Sequence, residues 1–313
     1  MGSPAELLKY VDTTEKGIEI APYFNPTLAK RDGYDILTLD VFDTERLRDN
    51  ARKDVMVPND RLHEIEEVDL VGDASGIGDV VREAGLEGQL GYIISSHNFE
   101  HLPNPILFLQ GCYDALAPGG MLSMVVPDYR ACFDHFRMPT RLSDWLGAYY
   151  DGRRQPSPET LFDYLFNQAR AHADGHMVDA VDIATARIGE VRPSTDPHDV
   201  FAKYVADRTD PGPYRDAHCT TFFPELFELM YRDLRQLGLI RFDIEEITET
   251  SVFEFYIHLR KPEEFKPIPD AEYAARRWEL LQAVSTTLGA AGFAEKPLMQ
   301  ELKDRFRRRF GRN

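Results

Sequence analysis

The chain has 313 residues, 43% of them hydrophobic and 28% charged, which suits a soluble globular protein with one large domain or a domain carrying an insertion. A formal net charge of −17 argues against a nucleic-acid partner, because a phosphate backbone would be repelled. Cys112, Cys132 and Cys219 are odd in number and lack C-x-x-C spacing, so reduced thiols are expected rather than a disulfide frame.

In chain order, Gly17 to Ala21 reads as a first strand and Tyr34 to Leu39 as a second, ending at Asp40. A helix follows over Thr44 to Lys53, then a strand at Glu67 to Val71 leading into Gly72-Asp73. A helix near Ile77 to Ala84 precedes a fourth strand at Tyr92-Ile93-Ile94, whose carboxyl end is Ser95-Ser96. Asn104 reads as an N-cap and Pro105 as the first position of a helix to Leu116, stopped by Pro118-Gly119-Gly120. Met121 to Val126 is then a fifth strand. Strands alternating with helices in this way imply a parallel, doubly wound sheet with ligands at the carboxyl ends of the strands. Residues 129 to 217 break the pattern into aromatic helical pieces with proline-containing loops, read as a helical lid. A helix at Pro224 to Leu237 and strands at Ile240 to Ile247 and Val252 to Leu259 follow, the two strands close enough to form an antiparallel hairpin. The expected organisation is a first half over 1–128, a lid over 129–217, the rest of the sheet over 218–262 and a helical tail over 263–313.

The loop after the fourth strand contains His97, Glu100 and His101 in H-x-x-E-H spacing, a signature of zinc hydrolases. That chemistry needs both histidines on one helical face, whereas Pro103 and the strand before Ser96 put them in a loop, so no metal is expected there. No apolar run is long enough to span a bilayer and no signal peptide is evident, so a cytoplasmic protein without integral membrane association is the default. Lys303 to Phe310 is a basic terminal segment: a solvated helix end, with contact to a lipid surface or an acidic carrier protein as the alternative.

Two stretches, SSHNFEHLPNP and LAPGGMLSMVVPD, resemble the fourth-strand, helix and fifth-strand region of class I S-adenosylmethionine-dependent methyltransferases whose members carry an S-x-x-x-E-H loop and an L-x-P-G-G turn. The resemblance covers residues 17 to 128 well and 218 to 260 more loosely. It implies a Rossmann-like α/β fold with a seven-stranded sheet, S-adenosylmethionine as cofactor, and methyl transfer to a small-molecule or glycan acceptor. By the same resemblance Glu19 would take the methionine amino group, Ala21 and Pro22 would form the turn after the first strand, and Asp73 with Ala74 would take the adenine. Asp40, with Val41, would hold the ribose hydroxyls, and Ser96-His97 would face the methionine end. Ala21 departs from the pattern, standing where glycine is common, and this keeps an inactive, methyltransferase-like binding or scaffold protein in view. A hydroxyl acceptor requires a base, for which His97, His101 and His218 are the candidates. Asp128 and Arg130 follow the fifth strand as either acceptor ligands or an internal ion pair.

Overall fold

A computed structural model of the chain describes residues 3–54, 57–173, 176–178, 180, 191–210 and 212–292. The chain divides into two compact units, Met1–Pro267 and Ile268–Asn313. The described part of the second contains the helix α9 (Asp270–Gly292). The basic segment from Lys303 lies outside the described residues.

The first unit is built on a seven-stranded sheet of β1 (Gly17–Ile20), β2 (Ile36–Asp40), β3 (Leu70–Val71), β4 (Leu90–Ser96), β5 (Leu116–Pro127), β9 (Asp243–Ile247) and β10 (Glu254–Arg260). Its order is β3-β2-β1-β4-β5-β10-β9. The first five strands pair in parallel, and β10 runs antiparallel to both β5 and β9. This is the doubly wound sheet closed by a hairpin that the sequence pattern implies. The order reverses at β1 and β4, where a parallel sheet opens a crevice at its carboxyl edge.

The strands at the centre are buried on both faces. All four residues of β1 are buried, as are Tyr92, Ile93 and Ile94 of β4, because helices cover both sides. Gly17, the single glycine of the first strand region, answers to packing: a Cβ there would lie 2.1 Å from the Tyr92 ring. Helices α3 (Ile77–Glu83) and α4 (Pro105–Ala115) approach closely through Gly78 and Gly111, where a Cβ on Gly111 would lie 2.5 Å from the Gly78 nitrogen. Asn104 caps α4 as its sequence suggests, accepting from the Leu107 amide at 3.2 Å.

Two differences from the sequence pattern have local causes. The third strand is only two residues long, because side chains replace its ladder: Asp69 accepts from the Thr38 amide at 2.7 Å and Thr44 from the Val68 amide at 2.9 Å. The segment 129–217 is not purely helical. Besides α5 (Leu142–Tyr150), α6 (Pro158–Phe166) and α7 (Pro197–Thr209), it holds a small antiparallel sheet of β6 (Ala169–Ala173), β7 (His176–Val178) and β8 (Val191–Pro193), in the order β7-β6-β8. The switch from period 3.6 to period 2 begins at buried Ala169 and exposed Arg170.

Candidate functional site

A cleft of about 460 Å3 opens at the carboxyl edge of the sheet, where the loops after β1, β2, β3 and β4 converge. Ala21 and Tyr23 reach it from β1, Asp40, Val41 and Phe42 from β2, Gly72, Asp73 and Ala74 from β3, and His97, Asn98 and His101 from β4. Arg154, Tyr214 and Asp216 of the 129–217 segment close the other side. The volume lies in the range of small-molecule and cofactor pockets.

The turn after β1 enters the cleft in a strained conformation. Ala21 and Tyr23 have φ of 49° and 51°, and His97 after β4 has 48°. These are three of the four non-glycine residues with positive φ among those described, and all three line the cleft. Such strain persists where the surroundings over-determine it, and it clusters at ligand sites. Glu19 supplies part of that determination. It is buried beneath the turn and accepts from the amides of Thr27 at 2.8 Å and Leu28 at 3.3 Å. Its pKa is raised by burial, against the pull of those amides. Glu19 therefore braces the 21–28 loop and is not among the residues lining the cleft, where a contact with an amino group was expected of it. Pro22 and Ser96 likewise stand outside the lining, whereas Ala21, Val41, Ala74 and His97 are in it.

Asp40 and Asp73 sit as the spacing suggested, at the ends of adjacent strands. Asp40 is buried, its Oδ1 accepting from the Phe42 amide at 2.9 Å, and burial raises its pKa. Asp73 caps the turn after it through Oδ1 to the Ser75 amide at 3.0 Å. Its Oδ2 is buried without a hydrogen-bond partner, with the Arg154 guanidinium 3.7 Å away. Burial raises the pKa of Asp73 too. An acceptor oxygen without a donor, facing a cleft, is a place where a ligand N–H is favoured.

The loop after β4 is anchored by Phe99, which is fully buried among Phe108, Trp145, Phe222 and Phe227 with ring centroids 5.7 to 5.9 Å away. That anchor splits the two histidines. His97 turns toward β10, with Nε2 2.9 Å from a Glu254 oxygen and Nδ1 3.6 Å from Glu100. Burial opposes its charge, but the two carboxylates prevail and hold its pKa up to about 9. At neutral pH that favours the charged ring, which suits His97 to donating rather than to accepting a proton.

His101 turns the other way, its Nδ1 3.0 Å from Asp216. Burial again opposes the charged form, and the Asp216 hydrogen bond with the Glu100 charge raises the pKa. His218 packs edge-on against His101, ring centroids 4.6 Å apart, but is buried and does not line the cleft. Its Nδ1 bonds Asp134, which Arg137 holds at 2.9 Å. The backbone enforces this meeting, because the amides of Cys219 and Thr220 donate to the Glu100 carbonyl at 2.6 and 3.1 Å.

Asp128 and Arg130 take the internal-pair alternative. Arg130 Nε donates to Asp128 Oδ1 at 2.8 Å, its guanidinium stacks 4.8 Å over Phe223, and Asp128 also accepts from Thr250. Neither lines the cleft, where a substrate contact was the other expectation. The cleft residues that sequence reasoning missed are chiefly Tyr23, Asn98, Arg154, Tyr214 and Asp216. Asp216 carried a faint signal, standing two residues before His218 in DAHC.

No protein-family model and no curated protein matches the chain. Solved structures similar to it include an S-adenosylmethionine-dependent methyltransferase from Aquifex aeolicus, at 12% identity over 83% of this chain and 89% of that one, with a TM-score of 0.36. A second, from Mesorhizobium loti, has 12% identity over 83% and 98% of the two chains and a TM-score of 0.39. The PH0226 protein from Pyrococcus horikoshii OT3 has 12% identity over 82% and 86%, with a TM-score of 0.39. The fold assignment rests on the strand order of the chain itself. No helix among the described residues is long and apolar enough to cross a membrane.

Proposed function

We propose that the chain is an S-adenosylmethionine-dependent methyltransferase acting on a small polar acceptor, with O-methylation of a sugar, glycan or secondary metabolite as the reaction. The observation that carries this reading is the pair of carboxylates, buried Asp40 and half-buried Asp73, lining one cleft from adjacent strand ends at the point where the strand order reverses. Asp40 is suited to accept from ribose hydroxyls and Asp73 Oδ2 from an adenine amino group. The Ala21–Tyr23 turn and the His97–Asn98 loop would flank the methionine end.

A bound sulfonium supplies an activated methyl group, so the chain's own task is alignment and proton removal. In the transfer the carbon–sulfur bond breaks, its electron pair stays on sulfur, and the acceptor oxygen forms the new bond to carbon. The acceptor's proton must leave. Of the three histidines only His97 and His101 line the cleft, and His97 is tied to Glu254 and Glu100, so in this reading the His101–Asp216 pair takes the proton. Tyr214, whose hydroxyl lies 3.3 Å from Asp216, extends that polar wall toward an acceptor.

Ala21 favours a second reading, a binding protein of the same fold without turnover, because its methyl group occupies a left-handed position beside the expected ligand. A calorimetric titration with S-adenosylhomocysteine tests the cofactor assignment. Binding near one per chain supports it, and a folded chain that takes up none rejects both readings. Turnover of a hydroxylated acceptor then separates the enzyme from the binding protein.

A further inference from the structure

We infer that Glu100, His101 and His218 form a binding site for a divalent transition-metal ion, Zn2+ or Fe2+, bordering the cleft beside Asp216. One donor atom from each of the three lies within 4.8 Å of the others. Glu100 Oε1 faces the Nε2 atoms of His101 at 3.8 Å and His218 at 4.0 Å. A tetrahedral ion with bonds of about 2.0 to 2.1 Å needs edges of roughly 3.4 Å, so small side-chain adjustments bring the donors to bonding distance.

Independent features point to a cation. Both rings direct Nδ1 at a carboxylate, Asp216 for His101 and Asp134 for His218, which fixes the Nδ1–H tautomer of the neutral rings and leaves both Nε2 lone pairs on the Glu100 side. Carboxylates behind histidine ligands are the usual support of a metal site. Glu100 itself is almost fully buried, and its Oε2 has no hydrogen-bond partner. Two neutral imidazole nitrogens and a carboxylate, with positions left open, suit Zn2+ or non-haem Fe2+ rather than Mg2+ or Ca2+.

The other candidate cluster among the described residues, Glu6, Glu246 and His258, differs in just this respect. The Lys9 ammonium already bonds Glu246 at 2.6 Å and Glu6 at 3.3 Å. At Glu100 no lysine or arginine forms a salt bridge within 4 Å among the described residues; the cationic neighbour there is His97, whose Nδ1 lies 3.6 Å from Glu100 Oε1 while its Nε2 is bonded to Glu254.

The sequence spacing led to the expectation of no metal in this loop, because His97 and His101 cannot share a helical face there. The geometry removes His97 from the set, as Glu254 holds it, and brings His218 in its place. His101 and Asp216 border the cleft, so an ion held here is placed to take an oxygen of the acceptor as a further ligand; this use rests on the proposed methyl transfer. Ligation and base action are exclusive uses of His101 Nε2, and with the ion bound Asp216 is the carboxylate left beside the acceptor.

The test is equilibrium dialysis of the full chain, stripped with a chelator, against Zn2+ and, without oxygen, against Fe2+, with Co2+ as a spectroscopic probe. The expected result is close to one ion per chain. His101→Ala should raise the dissociation constant about a hundredfold or more, and Asp216→Asn by roughly 10- to 100-fold. His198→Ala, an exposed histidine elsewhere, should change nothing. Circular dichroism identifies variants that do not fold; His101→Ala and Asp216→Asn touch partly exposed side chains, so the test does not depend on buried His218. Uptake of neither ion near one per chain, or uptake indifferent to His101→Ala, overturns the proposal. S-adenosylhomocysteine titrated into the stripped protein reads the cofactor site separately, so failure of one assignment is distinguishable from failure of the other.

Discussion

On the side of the cleft formed by β1, β2 and β3, each polar group in the wall or just beneath it stands at or near the end of a strand and is bonded to nearby backbone amides. Asp40 accepts from the amide two residues on, Asp73 does the same, and Glu19 holds the turn that follows its strand. Across the cleft, the wall that contains His101, Arg154, Tyr214 and Asp216 is assembled from pieces far apart in sequence, held by buried ion pairs and by two amides on the Glu100 carbonyl. The first wall can form wherever the strands form. The second exists only when the 129–217 segment and the loop after β4 are both in place; under the proposed function the first wall would serve the cofactor and the second the acceptor.

That contrast can be broken from the second side. Asp134→Ala removes the partner of buried Arg137 and His218, leaving Arg137 with Asp163. Breaking a buried pair costs about 3 to 5 kcal/mol, so the unfolding free energy in denaturant titration should fall by that much. A loss under about 1 kcal/mol would mean that this network does not support the second wall.

His101→Ala sharpens the contrast without removing buried charge from the network behind it. Turnover should fall roughly a hundredfold, while affinity for S-adenosylhomocysteine stays within a few-fold. Equal losses in both would join the two walls into one site. His218→Ala, by contrast, removes a side chain behind the cleft, and its effect on turnover should pass through the placement of His101.

The smallest effect concerns strain on the first wall. A non-glycine residue in the left-handed region costs about 1 to 2 kcal/mol, and glycine returns about 0.5 to 1 of that as chain entropy. Ala21→Gly should therefore stabilise the fold by roughly 0.5 to 1 kcal/mol, read as a raised denaturation midpoint. A lowered midpoint would show that the Ala21 methyl group packs favourably.

The same division explains what the sequence disclosed. Alternating strands and helices, the Asn104-Pro105 helix start and the carboxylates at strand ends are local patterns, and they predicted the sheet and its first wall. The pairing of His101 with Asp216, and of His218 with Asp134, depends on how the 129–217 segment returns to the sheet, which no local spacing encodes. Nor did spacing distinguish Asp128-Arg130 as an internal pair from a ligand pair, because both uses need the same residues. The small β7-β6-β8 sheet escaped notice because its strands are short and their alternation weak. His97 misled for a related reason: its histidine-glutamate spacing suggested chemistry, while its true partner Glu254 lies on the last strand.

The most direct test of the central claim is calorimetric titration of S-adenosylhomocysteine into the chain and into Asp40→Ala. Losing a charge-assisted hydrogen bond costs on the order of 1.5 to 3 kcal/mol, so the account predicts binding near one per chain, weakened about tenfold or more by the substitution. Absence of binding, or equal affinity in a folded Asp40→Ala variant, would contradict it.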